Sequence, residues 1–186
     1  MKVLYVAAEC KPFAKAGGVG DVTGELPPAL KAQGVDIEIV TPWYGVTSCR
    51  DATLADGWDL RWHGTSERVD VLMAALRGVP VTFLKNATYF ETDYSKGEHL
   101  PPFSSPRLFK KNYATIYVDS EPTLPYIDDA ARFAFFSEAC IGLIERRSPD
   151  VVHVNDWALG YLLGRMTMRR MSQKKVLTIH NIGYQG

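Results

Sequence analysis

A short turn near the start of the chain carries the residues best suited to bind an anion. It stands between an apolar run at 3–8 and a helical pattern at 19–33. A strand, a glycine-rich turn and a helix form the first half of a βαβ unit, and such a turn places backbone N–H groups at the helix N-terminus, where the dipole favours negative charge. We interpret the turn as a site for the phosphates of a nucleotide or nucleotide sugar. Its candidate residues are Lys15, whose ammonium could reach the same anion, and Gly17, Gly18 and Gly20.

Polar side chains also follow three of the predicted strands. In an open parallel sheet, ligands bind beyond the carboxyl ends of the strands, so we expect these side chains to share one edge of the sheet. This shared placement is stronger evidence than any single residue. A neutral imidazole at such an end can hydrogen-bond a sugar hydroxyl or a developing charge, which singles out His180. The residues at the strand ends are Glu9, Asn155, Asp156, His180 and Asn181.

Several of these residues also have an ordinary structural interpretation. Lys15 could be a surface lysine beside a tight turn. Asp21 lies in the first turn of the predicted helix, where compensation of the helix dipole is as good an explanation as a ligand role. Asp156 followed by Trp157 suits an N-cap and a core aromatic. His153, inside an apolar strand, suits a core histidine.

The sequence lacks the residue patterns typical of several other kinds of binding or catalytic site. The glycines only loosely approach the dinucleotide fingerprint, and the second predicted strand ends in Thr41-Pro42 and not in the acid that would hold a ribose. A redox enzyme is therefore the weakest interpretation. The sequence contains no Walker-type Gly-Lys-Ser/Thr, no His/Cys spacing typical of a metal site and no legible nucleophile–base pair.

Composition excludes some classes of partner. The chain has 186 residues, of which 46% are hydrophobic, and 21 basic residues balance 21 acidic ones. A neutral total gives no reason to expect nucleic acid or an anionic membrane as a partner, and no apolar run is long enough to span a bilayer. The three scattered cysteines favour reduced thiols in a cytoplasm over a disulfide framework or a zinc site.

Strands and helices alternate along the sequence, which predicts a Rossmann-like, doubly wound and mostly parallel α/β sheet. We expect a β-hairpin around Arg77-Gly78, no clear period over 43–66, and a long loop insertion over 88–125. Pro27 and Pro28 are expected to kink the first helix or split it. The predicted strands are 2–8, 35–40, 69–76, 79–84, 151–154 and 176–179, and the predicted helices are 19–33, 128–147 and 157–171, with Asp128 as an N-cap.

Three stretches together resemble motifs of the bacterial glycogen synthase and plant starch synthase family. Lys15-Ala-Gly-Gly-Val-Gly-Asp21-Val22 is similar to Lys-Thr-Gly-Gly-Leu-Ala-Asp-Val, Val151-Val-His-Val-Asn-Asp156-Trp157 to Val-Val-His-x-His/Asn-Asp-Trp, and His180-Asn-Ile-Gly-Tyr-Gln-Gly186 to His-Asn-Leu/Ile-Ala-Tyr-Gln-Gly. Asp129-x-x-Arg132-Phe133 also resembles the family's Asp-Asn-x-x-Arg-Phe. The order and spacing of the motifs match, and the resemblance covers the chain apart from 43–66 and 92–125.

The resemblance implies a two-domain glycosyltransferase of the GT-B architecture. Such an enzyme transfers glucose from ADP-glucose to the nonreducing end of an α-1,4-glucan, with retention and without a metal. Residues 1–186 would form its N-terminal catalytic domain, and the C-terminal nucleotide-binding domain would lie outside this sequence. We therefore expect this chain alone to be inactive. We also expect some self-association, because the truncated sheet would expose an apolar edge.

The resemblance also implies roles for individual residues. Lys15 with Gly17 and Gly18 would face the ADP phosphates, Asp21 and Glu9 would lie in the cleft, Asp156 would lie near the acceptor, and His180 would lie at the donor glucose with Asn181 beside it. A cleft tyrosine is expected, with Tyr94 as the candidate and Tyr117 as the alternative. Ala16 and Ala158 depart from the motifs, since Thr usually stands at the first position and His or Gln often at the second.

Two further functions remain open from the sequence. One is a non-catalytic module that binds glucan or nucleotide. The other is a GT-B transferase that uses another donor, such as UDP-glucose, because motifs of the first domain discriminate donors poorly.

Overall fold

A computed structural model describes residues 1–93, 112–118 and 127–181 of the chain. These residues form one seven-stranded sheet flanked by helices. The strands are β1 (Lys2–Val6), β2 (Asp36–Pro42), β3 (Thr53–Trp62), β4 (Thr65–Leu76), β5 (Val79–Lys85), β6 (Val151–Asn155) and β7 (Lys174–Thr178). The helices are α1 (Gly18–Ala32), α2 (Ile127–Arg147) and α3 (Gly160–Met168), with a π-helical turn at Ala87–Glu91 and a 3-10 turn at Trp157–Leu159.

The strand order is β3-β4-β5-β2-β1-β6-β7, and β5, β2, β1, β6 and β7 run parallel. Successive side chains of a strand point to opposite faces of the sheet. Accordingly, Leu4 and Val6 of β1 pack in a core with Phe136 of α2, whereas Val3 and Tyr5 pack in a second core with Leu26 of α1. Helices thus cover both faces, which confirms the predicted doubly wound, mostly parallel α/β sheet.

The predicted hairpin at Arg77-Gly78 is confirmed, and a second hairpin was missed. Arg77 and Gly78 both have positive φ, and so do His63 and Gly64 between β3 and β4. Two central residues with positive φ match the turn that suits the twist of paired strands. The expectation of no regular period over 43–66 was wrong, because β3 pairs with β4 throughout most of its length.

The two prolines do not split α1, which runs unbroken from Gly18 to Ala32. Pro28 has no N–H to donate to the carbonyl of Gly24, four residues earlier. The guanidinium of Arg77 donates to that carbonyl oxygen instead. Gln33 and Gly34 follow the helix, and the φ of +84° at Gly34 fits the predicted glycine stop. The N–H groups of Gly34 and Val35 donate to carbonyl oxygens of the last turn.

The other element bounds shift slightly from the prediction. β1 ends at Val6, and β7 begins earlier than expected, at Lys174. α2 begins at Ile127, so Asp128 lies in its first turn and does not precede the helix. The segment expected to be one helix from Trp157 is a 3-10 turn followed by α3.

The last strand is an edge strand with both faces exposed. Among the strands that the structure describes, β7 pairs only with β6. Val176 and Leu177, which point to opposite faces, are 42% and 44% exposed. Ile179, just beyond the strand, is 61% exposed. Apolar side chains on an uncovered edge are the feature from which self-association was expected, and that expectation stays a prediction.

Candidate functional site

The glycine-rich turn binds a carboxylate of the chain itself. The Oε2 atom of Glu9 accepts hydrogen bonds from the backbone N–H groups of Ala16 at 2.7 Å and Gly17 at 2.6 Å. Glu9 follows β1 and is only 1% exposed, so this interaction is sheltered from water. The turn before α1 therefore presents converging amide donors to a negative group, which is the carboxylate of Glu9. Phosphate binding at this turn stays a prediction.

The glycines of this region differ in what a side chain at each position would contact. A side chain on Gly20 would begin 2.9 Å from Cγ of Lys15 and 3.2 Å from Oε2 of Glu9, and one on Gly24 would begin 2.8 Å from the carbonyl oxygen of Lys11. Both glycines let the segment after β1 pack against α1. A side chain on Gly18 would meet nothing within 4 Å. Packing explains Gly20 and Gly24, whereas Gly18 borders open space at the start of α1.

Lys15 and Asp21 form an ion pair beside this open space. Nζ of Lys15 lies 2.6 Å from Oδ2 of Asp21, and Nζ of Lys11 lies 3.5 Å from Oδ1 of the same carboxylate. The hydrogen bond from Lys15 holds the pKa of Asp21 below its usual value. The side chains remain about half exposed, so the pair can open without the penalty of a buried charge. The ammonium of Lys15 therefore lies at the entrance to the glycine turn.

Residues 112–118 form an irregular segment, and a tyrosine from this segment contacts Glu9. The hydroxyl of Tyr117 donates to Oε1 of Glu9 at 2.9 Å. Burial raises the pKa of Tyr117, and the charge of Glu9 raises it further, so the hydroxyl stays protonated. Tyr117, the alternative candidate for the cleft tyrosine, therefore contacts Glu9, and its role in a cleft stays a prediction. The first candidate, Tyr94, lies outside the described residues.

One buried arginine holds the segment that carries Tyr117. The guanidinium of Arg132, fully buried in α2, donates to Asp129 and to four backbone carbonyl oxygens. The backbone N–H of Val118 in turn donates to Asp129 at 3.0 Å. These contacts account for the Asp129-x-x-Arg132 motif, which positions residues 113–118 on the body of the fold. The four carbonyl groups belong to Tyr89, Tyr113, Thr115 and Ile116.

Asp156 has a backbone conformation that is rare for any residue except glycine. It follows β6 with φ 67° and ψ 175°. Its N–H donates to the carbonyl oxygen of Thr178, and its Oδ1 accepts from the N–H of Trp157 at 3.0 Å. Such a conformation costs energy and persists where surrounding contacts enforce it, often at a functional site. The predicted cap is present, and the strained backbone is an additional feature that the sequence did not reveal.

Two imidazole groups cross-link the ends of β6 and β7. Nε2 of His153 lies 2.7 Å from the hydroxyl of Thr178, and Nε2 of His180 lies 3.0 Å from Oδ1 of Asn155. His153 is half buried beside Tyr5, and burial lowers its pKa, as expected of a histidine packed in the fold. His180 is partly exposed at the carboxyl edge, and Asn181 beside it is exposed. The sequence predicts Asn155 only as a residue at a strand end and does not predict its contact with His180.

The fold therefore gathers the predicted residues at one edge. β1, β6 and β7 are neighbours, and their carboxyl ends carry Glu9, Asp156 and His180. Because Lys15 and Glu9 both pack on Gly20, the glycine turn belongs to the same edge. Tyr94 is the one predicted site residue outside the described part of the chain. The roles of these residues in binding stay predictions.

Other kinds of site are not seen in the described part of the chain. Within residues 1–93, 112–118 and 127–181, no three His, Cys, Asp or Glu side chains form a group suited to a metal ion. None of the helices described is long and apolar enough to cross a membrane. Cys10, Cys49 and Cys140 are free thiols, and Cys10 and Cys140 are buried.

Comparisons with known proteins point to one family. The model of the family described as the starch synthase catalytic domain matches residues 2–186. Glycogen synthases from Halalkalibacterium halodurans and Clostridioides difficile are 31% and 34% identical to the chain over its whole length. These alignments cover 35% and 36% of the two relatives, so the chain spans about a third of their length.

A solved structure agrees as well. The catalytic domain of starch synthase IV from Arabidopsis thaliana, bound to ADP and acarbose, matches with a TM-score of 0.73 and 26% sequence identity. The match covers 98% of this chain and 34% of that one. The α/β fold is thus that of a GT-B glycosyltransferase. The chain belongs to the starch synthase catalytic domain family.

Proposed function

We propose that the chain forms the acceptor-side part of a glucan synthase cleft. The enzyme transfers glucose from ADP-glucose to the nonreducing end of an α-1,4-glucan, with retention and without a metal. The observation that carries this proposal is the convergence of Glu9, Asp156 and His180 at the carboxyl ends of three neighbouring strands, beside the glycine turn. That edge is where parallel α/β sheets bind their ligands.

The diphosphate of the donor binds at the start of α1. The side chain of Lys15 can exchange its exposed partner Asp21 for a phosphate, because both carry water-accessible charges. The open side of Gly18 leaves room for a phosphate at the helix N-terminus, where the dipole favours it. Glu9 already uses the N–H groups of Ala16 and Gly17, so it shapes the turn while the phosphate uses Lys15 and the next turn of backbone.

The transferred glucose and the acceptor bind at the ends of β6 and β7. The imidazole of His180 hydrogen-bonds the donor glucose, with Asn181 beside it. The carboxylate of Asp156, turned by its unusual backbone conformation, lies near the acceptor hydroxyl. Tyr117, a protonated donor hydrogen-bonded to Glu9, is the cleft tyrosine. The structural neighbour that binds ADP and acarbose supports a cleft for a nucleotide and a glucan in this chain.

We propose that the base of the donor nucleotide binds to residues outside this sequence. Because the relatives are about three times as long as the chain, transfer would require the remaining two thirds of such an enzyme. Half of a cleft cannot stabilise the charge that develops on the leaving diphosphate. We therefore expect the 186-residue chain to bind glucan but to show no measurable transfer.

Calorimetric titration of the chain tests the binding proposal. The ligands are maltoheptaose, ADP and ADP-glucose, and the variant is Lys15→Ala. Lys31→Ala, at the exposed far end of the same helix, is the matched control. We expect binding of maltoheptaose with weak nucleotide binding that Lys15→Ala removes and Lys31→Ala leaves unchanged. Tight ADP binding without any glucan binding would favour a self-contained nucleotide module, and binding of neither would contradict the proposal.

A further inference from the structure

The amide of Asn155 is held in one orientation by its surroundings. Asn155 is 1% exposed at the end of β6. Its Nδ2 lies 3.1 Å from the carbonyl oxygen of Val6 on the neighbouring strand and 3.5 Å from that of His153. Carbonyl oxygens only accept hydrogen bonds, so the NH2 group has to face them. The Oδ1 atom therefore faces away from them, and it lies 3.0 Å from Nε2 of His180.

We propose that Asn155 is a positioning residue that fixes the tautomer of His180. Because Oδ1 can only accept, Nε2 of the neutral imidazole carries the hydrogen and Nδ1 keeps its lone pair. Among the described residues, the His180 ring has no second hydrogen-bond partner. Nδ1 is therefore the atom that accepts a hydrogen bond from a ligand hydroxyl. The assignment of that ligand as a sugar rests on the proposed function, whereas the tautomer does not.

The neighbouring imidazole provides an internal contrast. His153 also bridges β6 and β7, but its partner is the hydroxyl of Thr178. A hydroxyl both donates and accepts, so this contact leaves either tautomer of His153 possible. His153 lies on β6 and His180 lies two residues after β7, and only His180, at the carboxyl edge, faces a partner of fixed polarity. Asn155 thus specifies the chemistry of His180 and not merely its place.

Nitrogen-15 NMR of the imidazole rings tests this inference directly. In the chain labelled at histidine, and at a pH where the rings are neutral, we expect a pyrrole-like Nε2 and a pyridine-like Nδ1 for His180. In the other tautomer the buried Oδ1 of Asn155 would lack its hydrogen bond, and the free-energy cost gives about a tenfold excess of the Nε2–H tautomer. A predominant Nδ1–H tautomer in the unmodified protein would overturn the proposal without any variant.

Two variants test whether Asn155 positions His180 or only stabilises the fold. Asn155→Ala should bring His180 to the tautomer mixture of a free imidazole, with backbone amide spectra that remain dispersed. Thr178→Val removes the other bridge between the same strands and should leave the His180 tautomer unchanged. If Asn155→Ala folds and leaves the nitrogen shifts of His180 as they were, the inference is wrong. Loss of glucosyl transfer plays no part in this result, so the test stands apart from the proposed function.

Discussion

The hydroxyl of Tyr117 donates a hydrogen bond of 2.9 Å to the carboxylate of Glu9, although 108 residues separate them in the sequence. Glu9 uses its other oxygen to accept from Ala16 and Gly17 at the glycine turn. One buried carboxylate therefore connects the irregular segment, the end of β1 and the start of α1. We therefore expect the shape of the glycine turn to depend on this contact.

Replacing Tyr117 by Phe removes only the hydroxyl. A hydrogen bond to a buried charged group contributes about 1.5–3 kcal/mol, so we expect the free energy of unfolding to fall by about that amount. Tyr161→Phe is the matched control, because that hydroxyl is 3.4 Å from Glu138 and its residue is 45% exposed. The control should cost less than about 0.5 kcal/mol. Urea unfolding measures both, and equal effects of the two substitutions would refute the special role of Tyr117.

Asp156 provides a second prediction, because its backbone conformation suits glycine. Both Asp156→Gly and Asp156→Ala lose the cap on Trp157, but only the glycine variant relieves the backbone strain. We expect the glycine variant to be more stable than the alanine variant by about 1–3 kcal/mol in urea unfolding. Both variants lose the carboxylate and should lose acceptor binding. Equal stability of the two would show that the conformation at residue 156 carries no strain.

Two glycines of α1 should respond in opposite ways to alanine. Gly24→Ala places a methyl group 2.8 Å from the carbonyl oxygen of Lys11 and should destabilise the protein by about 1–3 kcal/mol. Gly18→Ala meets no atom within 4 Å, so the stability should stay the same or rise. The same methyl group lies where the proposal puts a phosphate, and we expect nucleotide affinity to fall by about tenfold or more.

Thermal unfolding and nucleotide titration of both variants check this pair. Destabilisation by Gly18→Ala equal to that by Gly24→Ala would show that Gly18 serves packing. An unchanged nucleotide affinity in a stable Gly18→Ala variant would contradict phosphate binding at the start of α1.

Stability should also fall at alkaline pH because of buried tyrosines. Burial raises the pKa of Tyr5 to about 12, and it raises the pKa values of Tyr44 and Tyr117 as well. In the unfolded chain a tyrosine loses its proton near pH 10, so above that pH the folded state binds more protons and stability decreases as pH rises. The contribution is fully present below pH 10, and each tyrosine should cost about 1 kcal/mol by pH 11.

Urea midpoints at pH 9 and pH 11 measure this effect. Tyr117→Phe should lose less stability between the two pH values than the unmodified protein, since one titrating group is gone. A midpoint that stays constant up to pH 11 would contradict the burial of these hydroxyl groups.

The alternation of apolar strands and helices made the parallel part of the sheet predictable from the sequence. β3 was missed because only Trp58 and Trp62 of that strand are buried. The signal was present: Trp58, Leu60 and Trp62 alternate with charged residues and lead into His63-Gly64, which allows a hairpin turn. The sequence did not reveal that Arg77, from a distant hairpin, donates to the carbonyl oxygen that Pro28 leaves without its helical partner.

The site was predictable to the extent that it lies at strand ends. Topology alone brings the ends of β1, β6 and β7 together, so Glu9, Asp156 and His180 followed from their positions in the sequence. The contact of Tyr117 with Glu9 did not, because it depends on the buried Arg132 that fixes an otherwise irregular segment. The restraint of His180 by Asn155 was also hidden, since it requires the exact pairing of two strands.

The most direct measurement is the transfer of labelled glucose to maltoheptaose by the whole enzyme to which, in our proposal, these 186 residues belong. ADP-glucose and UDP-glucose are compared as donors, with His180→Ala as the variant and Lys31→Ala as the control. We predict transfer from ADP-glucose that His180→Ala reduces by about a hundredfold or more and that Lys31→Ala leaves intact. No transfer from either donor, or full transfer by His180→Ala, would contradict a glucan synthase cleft at this edge of the sheet.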